Sequence, residues 1–157
     1  NAPLEQVWKY IADLNNFGRF NDYHHDLEFL SEQQGKGTKF KVAHTFWPIF
    51  PIPGLETICT VTSWEKKEDK AKITIFEEPK IHFPFVGSIV VPKTQHTQKY
   101  DLSSERPNHT FFKYEVLYAG LSPWMKRANN YVNNKVLAVM DFELEQIKQL
   151  LENRKYR

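Results

Sequence analysis

The C-terminal part of the chain contains a long stretch whose apolar residues recur with the period of an α-helix. Between Leu121 and about Asn153 they lie three, four or eight positions apart, and no Gly or Pro follows Pro123 within the stretch. Ser122 followed by Pro123 is a typical helix start, because a serine side chain accepts hydrogen bonds from free backbone N–H groups and proline fits the first turn. The pattern therefore predicts one helix of about thirty residues, about 45 Å long, that covers a large apolar surface.

A shorter helix is predicted near the start of the chain. From residue 3 to residue 14 the apolar side chains follow the same spacing of three and four. The polar segment 15–24 carries Phe17, Phe20 and Tyr23 at three-residue intervals. This spacing predicts a second short helix that packs through its aromatic rings.

Between these helices the period changes to two, which is typical of β-strands with one buried face. The predicted strands are 27–31, 38–46, 55–66, 71–77, 94–102 and 110–118, with turns at 33–37, 65–70 and 103–108. Segment 81–91 is apolar but broken by Pro84 and Gly87, which predicts a strand that is bent or starts late. Five or six antiparallel strands gathered between helices indicate an α+β domain with the helices on one sheet face. At 157 residues, positions 1–157 are predicted to form one domain.

Alternation divides these strands into two faces. Charged residues such as Lys39, Lys99 and Lys113 mark the solvent face. The opposite face, predicted to point at the long helix, consists of Phe40, Val42, His44, Phe46, His96, Gln98, Tyr100, Leu102, Phe112, Tyr114, Val116 and Tyr118. A mostly apolar wall with a few polar groups is typical of a small-molecule site. The alternative is a filled core whose polar groups pair with one another or with ordered water, because each unpartnered buried polar group costs about 1–3 kcal/mol.

Composition and charge narrow the classes of function. The net charge is +2 with both signs interspersed, and no Lys/Arg cluster alternates with aromatic residues, so no nucleic-acid partner is predicted. The single cysteine, Cys59, excludes an intramolecular disulfide framework and is interpreted as a small core residue. His24, His25 and Asp26 are potential metal ligands, but adjacent residues point in different directions and no further group of ligands accompanies them. Neither a metal nor a cofactor is therefore predicted. No run approaches the roughly 20 apolar residues that span a bilayer.

Two apolar, proline-containing segments, 46–54 and 81–87, do not fit a simple sheet. Apolar loops exposed to water usually mark an interaction surface. The residues predicted to form the entrance of a cavity or to touch a membrane are Trp47, Ile49, Phe50, Phe83 and Phe85. The alternatives are a protein contact and loops that fold back to seal the domain.

Three short motifs resemble the START/Bet v 1-like superfamily, also known as SRPBCC or the polyketide cyclase/dehydrase and lipid-transport superfamily. Residues 2–8, Ala-Pro-Leu-Glu-Gln-Val-Trp, are similar to the opening of its first helix. Segment 13–21, with Phe17, Phe20 and Asn21, is similar to the segment that follows in the family. Residues 35–38, Gly-Lys-Gly-Thr, resemble its Gly-x-Gly-Thr turn. With the long C-terminal helix, the resemblance spans nearly the whole chain.

The resemblance implies a helix-grip fold, in which a strongly curved antiparallel sheet wraps around the C-terminal helix and leaves a cavity between them. Members bind hydrophobic small molecules such as lipids, sterols, quinones, polyketides or plant hormones, and a minority catalyse reactions in the cavity. The family has a strand before the first helix, and this chain begins at Asn1, where that strand should end. The first strand is therefore expected to be missing.

The predicted function is binding or transfer of a hydrophobic small molecule in this cavity. The half of the long helix from Leu121 to about Val132 is predicted to roof the cavity. The half from about Val136 is predicted to pack as core, with Val139, Ile147 and Leu150. The roof contacts are predicted to be Trp124, Met125, Ala128 and Tyr131. We expect a cytoplasmic protein, with transient contact to a membrane left open. The oligomeric state and the identity of the ligand do not follow from the sequence.

Two alternatives remain at this point. The first is an enzyme of the cyclase or dehydrase type, in which His44 or His96 is the general base and Tyr100 or Tyr114 donates a hydrogen bond to a developing enolate. The predicted inner faces of strands 38–46, 94–102 and 110–118 carry no carboxylate that could orient either histidine. The second alternative is a protein-interaction module with a filled core.

Overall fold

The computed structural model describes residues 2–17, 24–32, 34–44, 55–83, 87–90, 95–118 and 129–153. The helical elements are helix α1 (Leu4–Ile11), a 3-10 helix (Leu14–Asn16) and helix α2 (Asn129–Asn153). The strands are β1 (His24–Phe29), β2 (Lys39–His44), β3 (Leu55–Lys66), β4 (Lys70–Phe83), β5 (Gly87–Val90), β6 (His96–Arg106) and β7 (His109–Tyr118). Neither α-helix, within these ranges, is long and apolar enough to cross a bilayer.

One antiparallel sheet contains the seven described strands, in the order β1-β2-β3-β4-β6-β7, with β5 paired to the end of β4. The sequence predicted five or six strands. The difference arises because β4 continues to Phe83 and pairs there with the short β5, which begins at Gly87. Residues 84–86 lie outside the described residues, so the bend or late start predicted within 81–91 stays a prediction. The curved sheet with its C-terminal helix confirms the α+β helix-grip fold.

The hairpin that joins β6 to β7 is tighter than predicted. A turn was predicted over 103–108, but β6 continues to Arg106 and β7 begins at His109. The chain reverses direction at Asn108, which has a φ of 60°. This is a left-handed conformation that asparagine tolerates better than most residues. The strand pairing therefore reaches the end of the hairpin.

Register aligns the buried side chains of neighbouring strands in rows across the sheet. At one end, Ala71 of β4 lies opposite Leu102 of β6, which lies opposite Phe112 of β7. At the other end of β4, Glu77 lies opposite His96. The inner face is therefore apolar at the Ala71 end and polar at the Glu77 end.

Helix α1 covers the apolar end of this face. Its predicted stripe is confirmed, since Leu4, Val7 and Ile11 are buried. The helix ends at Ile11 rather than residue 14, because Asp13 is extended and its carboxylate accepts a hydrogen bond from the Asn15 N–H at 3.1 Å, which starts the 3-10 helix. This single turn is the described part of the second short helix, and residues 18–23 lie outside the described residues.

Helix α2 packs on α1 and on the sheet through its last turns. Ile147 and Leu151 belong to the same buried cluster as α1, and the Gln6 side-chain amide donates to the Leu151 carbonyl at 3.2 Å. The prediction that Leu150 is core is wrong, since it is 36% exposed. The buried residue is instead Leu151, which lies four residues after Ile147 and therefore on the same side of the helix. The predicted start at Ser122 lies outside the described residues, and so do the residues that follow Asn153, so both predicted ends stay predictions.

Candidate functional site

A carboxylate and an imidazole meet on the buried face of the sheet. Glu77 shares this face with Ile73 and Ile75 by alternation along β4, and its register partner on β6 is His96. Glu77 Oε2 lies 3.0 Å from His96 Nε2, and the two side chains are 0% and 15% exposed. A carboxylate at this distance favours the protonated form of an imidazole. The neighbouring strand therefore places an acid at ion-pair distance from His96.

Next to this pair, three polar side chains continue along the same face. Gln98 and Tyr100 follow His96 at alternate positions of β6, and Tyr114 lies opposite Tyr100 on β7. The Tyr100 hydroxyl donates to the Gln98 side-chain carbonyl. The Tyr100 and Tyr114 rings stack with centroids 4.8 Å apart and planes 10° apart. We call Glu77, His96, Gln98, Tyr100 and Tyr114 the polar row.

Helix α2 brings a second carboxylate to the polar row. Glu143 is 2% exposed and lies one turn before Ile147, on the helix side that packs inward. Its charge acts on the hydroxyls of both Tyr100 and Tyr114. The interior therefore contains one buried acid from the sheet, Glu77, and one from the helix, Glu143.

Both tyrosines are expected to ionise only when the protein unfolds. Burial raises the pKa of Tyr100 well above its usual value, and Glu143 and Glu77 raise it further. Burial likewise raises the pKa of Tyr114, with the neighbouring Tyr100 as the next cause. A group whose pKa is higher in the folded state contributes stability below its unfolded pKa, about 10 for tyrosine, and this contribution is lost as the pH rises above that value.

An alkaline titration followed by tyrosinate absorbance and circular dichroism checks this prediction. We expect Tyr100 and Tyr114 to ionise together with the loss of native ellipticity. In the Tyr100→Phe/Tyr114→Phe variant the absorbance change that accompanies unfolding should be smaller by two tyrosines. Ionisation of all tyrosines in one step while the ellipticity stays native would contradict the prediction.

Cys59 lies beside the polar row and is confirmed as a core residue. It is fully buried and is the β3 register partner of Glu77. Burial raises the pKa of its thiol well above the usual value, and the Glu77 charge adds to this. Because the thiolate is the reactive form, the thiol is expected to be inert in the folded protein.

The structure brings the predicted inner-face residues together wherever it describes them. Phe40, Val42, Gln98 and Tyr100 are buried, and His96, Phe112 and Tyr114 are half-buried. The face assignment is therefore confirmed, while contact with a ligand stays a prediction.

Several predicted contacts lie outside the described residues. They are Phe46, Trp124, Met125 and Ala128, and the entrance or membrane residues Trp47, Ile49, Phe50 and Phe85. For His44, Phe83, Tyr118 and Tyr131 only the backbone is described, in β2, β4, β7 and α2. The membrane contact and the protein-interaction alternative both depend on these segments, so both stay predictions.

Sequence reasoning missed Glu77 and Glu143. The inner faces of β2, β6 and β7 carry no carboxylate at the predicted positions, but β4, which pairs with β6, supplies Glu77. The signal was the alternation Ile73, Ile75, Glu77. For Glu143 the signal was its position midway in the eight-residue interval between Val139 and Ile147. In both cases a charge stood where the period predicts a buried residue.

Comparison with known proteins identifies the class of fold. The solved structures that share it include a hypothetical protein, jhp0584, of Helicobacter pylori, and Ara h 8.0201, a Bet v 1-family allergen. The first has a TM-score of 0.65 at 10% identity, over 91% of this chain and 77% of the other. The second has a TM-score of 0.57 at 12% identity, over 94% of this chain and 91% of the other.

The likeness to Ara h 8.0201 shows a Bet v 1-like fold, as the sequence motifs predicted. No protein-family model and no curated protein matches the sequence. Identities this low establish the fold alone, so the function has to be argued from the residues of the interior.

Proposed function

We propose that this protein binds a hydrophobic small molecule between the inner face of the sheet and helix α2. The apolar body of the ligand would lie against side chains such as Phe112 and Val116, and its polar end against the polar row. The Bet v 1-like fold supports this proposal, since it is a fold suited to hydrophobic ligands.

The observation that carries the proposal is the polar row itself. A carboxylate, an imidazole, an amide and two phenols lie along one buried or half-buried face whose other described members are mostly apolar. A core that serves only stability gains little from such groups, because replacing buried polar partners by apolar groups of the same shape is often neutral or stabilising. An apolar site with a few convergent polar groups is what recognition of a small amphiphile requires.

Binding of the neutral dye Nile red, before and after extraction with organic solvent, tests this proposal. We expect the extracted protein to bind the dye with micromolar affinity, and native mass spectrometry of gently purified protein to show an adduct of lipid size. A protein that carries no adduct and binds no dye would overturn the proposal.

Two neighbouring positions on β7 provide a matched pair of variants. Val116→Trp fills space on the inner face and is expected to weaken dye binding at least about tenfold, since one displaced contact worth 1.4 kcal/mol has this effect. Leu117→Trp places the same ring on the outer face, where Leu117 is 47% exposed, and should leave binding unchanged. Equal loss in both folded variants would place the dye outside the interior.

The Glu77–His96 pair favours a second candidate, an enzyme of the cyclase or dehydrase type that works in the same interior. His96 would be the general base and Glu77 the residue that positions it, which supplies the orienting carboxylate that the sequence reasoning lacked. In that case His96→Asn should abolish turnover of a bound enolisable ketone and leave Nile red affinity within about twofold. Unchanged turnover would exclude His96 as the base.

A further inference from the structure

Strand β7 is the last strand in the order of the sheet. Among the described strands it pairs on one side only, with β6, and from Thr110 to Tyr118 this pairing runs without a register shift. The backbone N–H and C=O groups on the other side of a regular edge strand can pair with a further strand.

Strand β1, at the opposite end of the order, is a less suitable edge. Its pairing with β2 is irregular between His25 and Glu28, and Asp26 has a φ of 52°. Irregularities of this kind commonly prevent a sheet edge from adding another strand. Of these two edges, β7 is therefore the one whose backbone is regular enough to continue the sheet.

The outer face of β7 exposes two large apolar side chains with two opposite charges between them. Phe111 is 53% exposed and Leu117 is 47% exposed. Lys113 and Glu115 lie between them on the same face, with Lys113 Nζ 2.7 Å from Glu115 Oε1. Along the outer face the order is therefore apolar, basic, acidic, apolar.

This order is complementary to itself when the strand is reversed. In an antiparallel pair of two β7 strands about a two-fold axis at Tyr114, position 113 lies opposite position 115, and position 111 lies opposite position 117. Lys113 of each copy then faces Glu115 of the other, and Phe111 of each copy faces Leu117 of the other. Opposite charges and apolar side chains directly opposite each other stabilise an antiparallel pair.

The inner face of β7 agrees with the same register. Phe112 would lie opposite Val116, and both are half-buried apolar residues. A slip of two residues in one direction would place Lys113 opposite a second Lys113, and in the other direction Glu115 opposite a second Glu115, which destabilises the pair. A slip of one residue would place inner-face residues opposite outer-face residues. The register centred on Tyr114 therefore matches both faces and opposes no like charges.

We propose that β7 pairs with β7 of a second copy of this chain, antiparallel about a two-fold axis at Tyr114, so that the two sheets become one continuous sheet. A second copy fits this edge because an isologous interface requires a surface that is complementary to itself. The proposal is independent of any ligand in the interior.

The dimer is expected to be weak. Two paired edge strands form a small interface, and interfaces below about 1,200 Å² are typical of transient complexes. We therefore expect a dissociation constant of about 10⁻⁴ M, so that the monomer prevails at about 1 µM protein.

Sedimentation velocity tests the proposal at protein concentrations from about tenfold below to about tenfold above this dissociation constant. The weight-average sedimentation coefficient should rise from that of the monomer towards that of the dimer. Lys113→Glu places acids opposite each other twice and should weaken association at least about tenfold. Lys36→Glu makes the same charge change in the exposed turn before β2 and should leave association unchanged. A wild-type protein that stays monomeric throughout, or equal weakening by both variants, would overturn the proposal.

A mixture of two variants tests the register. Glu115→Lys places lysines opposite each other and should also weaken association by itself. An equimolar mixture of Lys113→Glu and Glu115→Lys should associate about as tightly as the wild type, because every acid of the mixed dimer faces a lysine. Contacts within one copy cannot produce this recovery, since each variant keeps two like charges on its own strand. A mixture of the two folded variants that stays monomeric would overturn the proposed register.

A variant without a charge change provides a second test. Leu117→Ser removes an exposed apolar side chain and should weaken association of the wild-type chain at least about tenfold, while far-UV circular dichroism stays native. Unchanged association of this variant would overturn pairing through β7, because Leu117 would then lie outside the interface.

Discussion

Replacement of His96 by leucine is expected to destabilise the protein by about 3–5 kcal/mol, because it leaves a buried carboxylate without its nearby imidazole. Glu77 is fully buried, and its contact with His96 at 3.0 Å joins two strands of the sheet. The free energy of unfolding from urea denaturation, with an unchanged m-value, measures the effect.

A double-mutant cycle separates the pair from its surroundings. When Glu77 is also replaced by leucine, most of the loss should be recovered, since an apolar pair of similar volume replaces both charges at little cost. An exposed ion pair on α2, Lys148 with Glu145 at 3.3 Å, provides the control, and Lys148→Ala should cost less than about 1 kcal/mol. If the double variant is as unstable as the sum of the single variants, the charge pair is not the reason for the loss.

Such a result would bear on function as well as on stability. If two leucines support the fold as well as the ion pair does, stability alone does not explain the presence of Glu77 and His96. The cost of a buried pair would then be offset by what the pair does for a bound molecule. The leucine pair should therefore keep the fold and change the affinity for polar ligands.

Replacement of Phe40 by alanine is expected to cost about 3–5 kcal/mol, the usual loss when a buried aromatic ring is removed and a cavity remains. Phe40 is fully buried at the centre of an aromatic cluster, with its ring centroid 5.2 Å from that of Phe17 and 6.1 Å from that of Phe29. The ring joins β1, β2 and the segment after α1. Its loss therefore weakens one edge of the sheet and the N-terminal contacts together.

The sequence contains a matched control for this substitution. Phe111 on β7 is 53% exposed, so Phe111→Ala should change the free energy of unfolding by no more than about 0.5 kcal/mol. Urea denaturation of both variants gives the comparison. Similar losses at the two positions would mean that burial of Phe40 is not what stabilises this edge.

Period and alternation were sufficient to predict most of the architecture. The strand that ends at Lys66 was predicted with its observed end, because charged turn residues follow it. The inner and outer faces of β6 and β7 were predicted from Lys99 and Lys113. These charged residues alternate with the mostly apolar residues of the inner face, so they mark the outer face. Each of these features depends on residues that are close together in the sequence, and the spacing of apolar and charged residues over such short distances is enough to predict it.

The acids of the interior could not be predicted in the same way. A glutamate in a strand is assigned to solvent unless a partner is known, and the partner of Glu77 stands on β6, almost twenty residues later in the chain. Glu143 needs both the sheet and the helix before it becomes buried. The chemistry of the site thus depends on register and packing, which only the folded structure provides.

The strand order also bears on how the protein folds. The six strands from β1 to β7 that form the main path pair in chain order, so the sheet can assemble through hairpins between nearby segments. The contact of Gln6 with Leu151 spans 145 residues, and closing so long a loop costs more chain entropy than closing a hairpin. We expect docking of α2 to be the last step, so that the polar row meets water until then. A ligand would consequently bind only the finished fold, and its presence should slow unfolding without speeding assembly of the sheet.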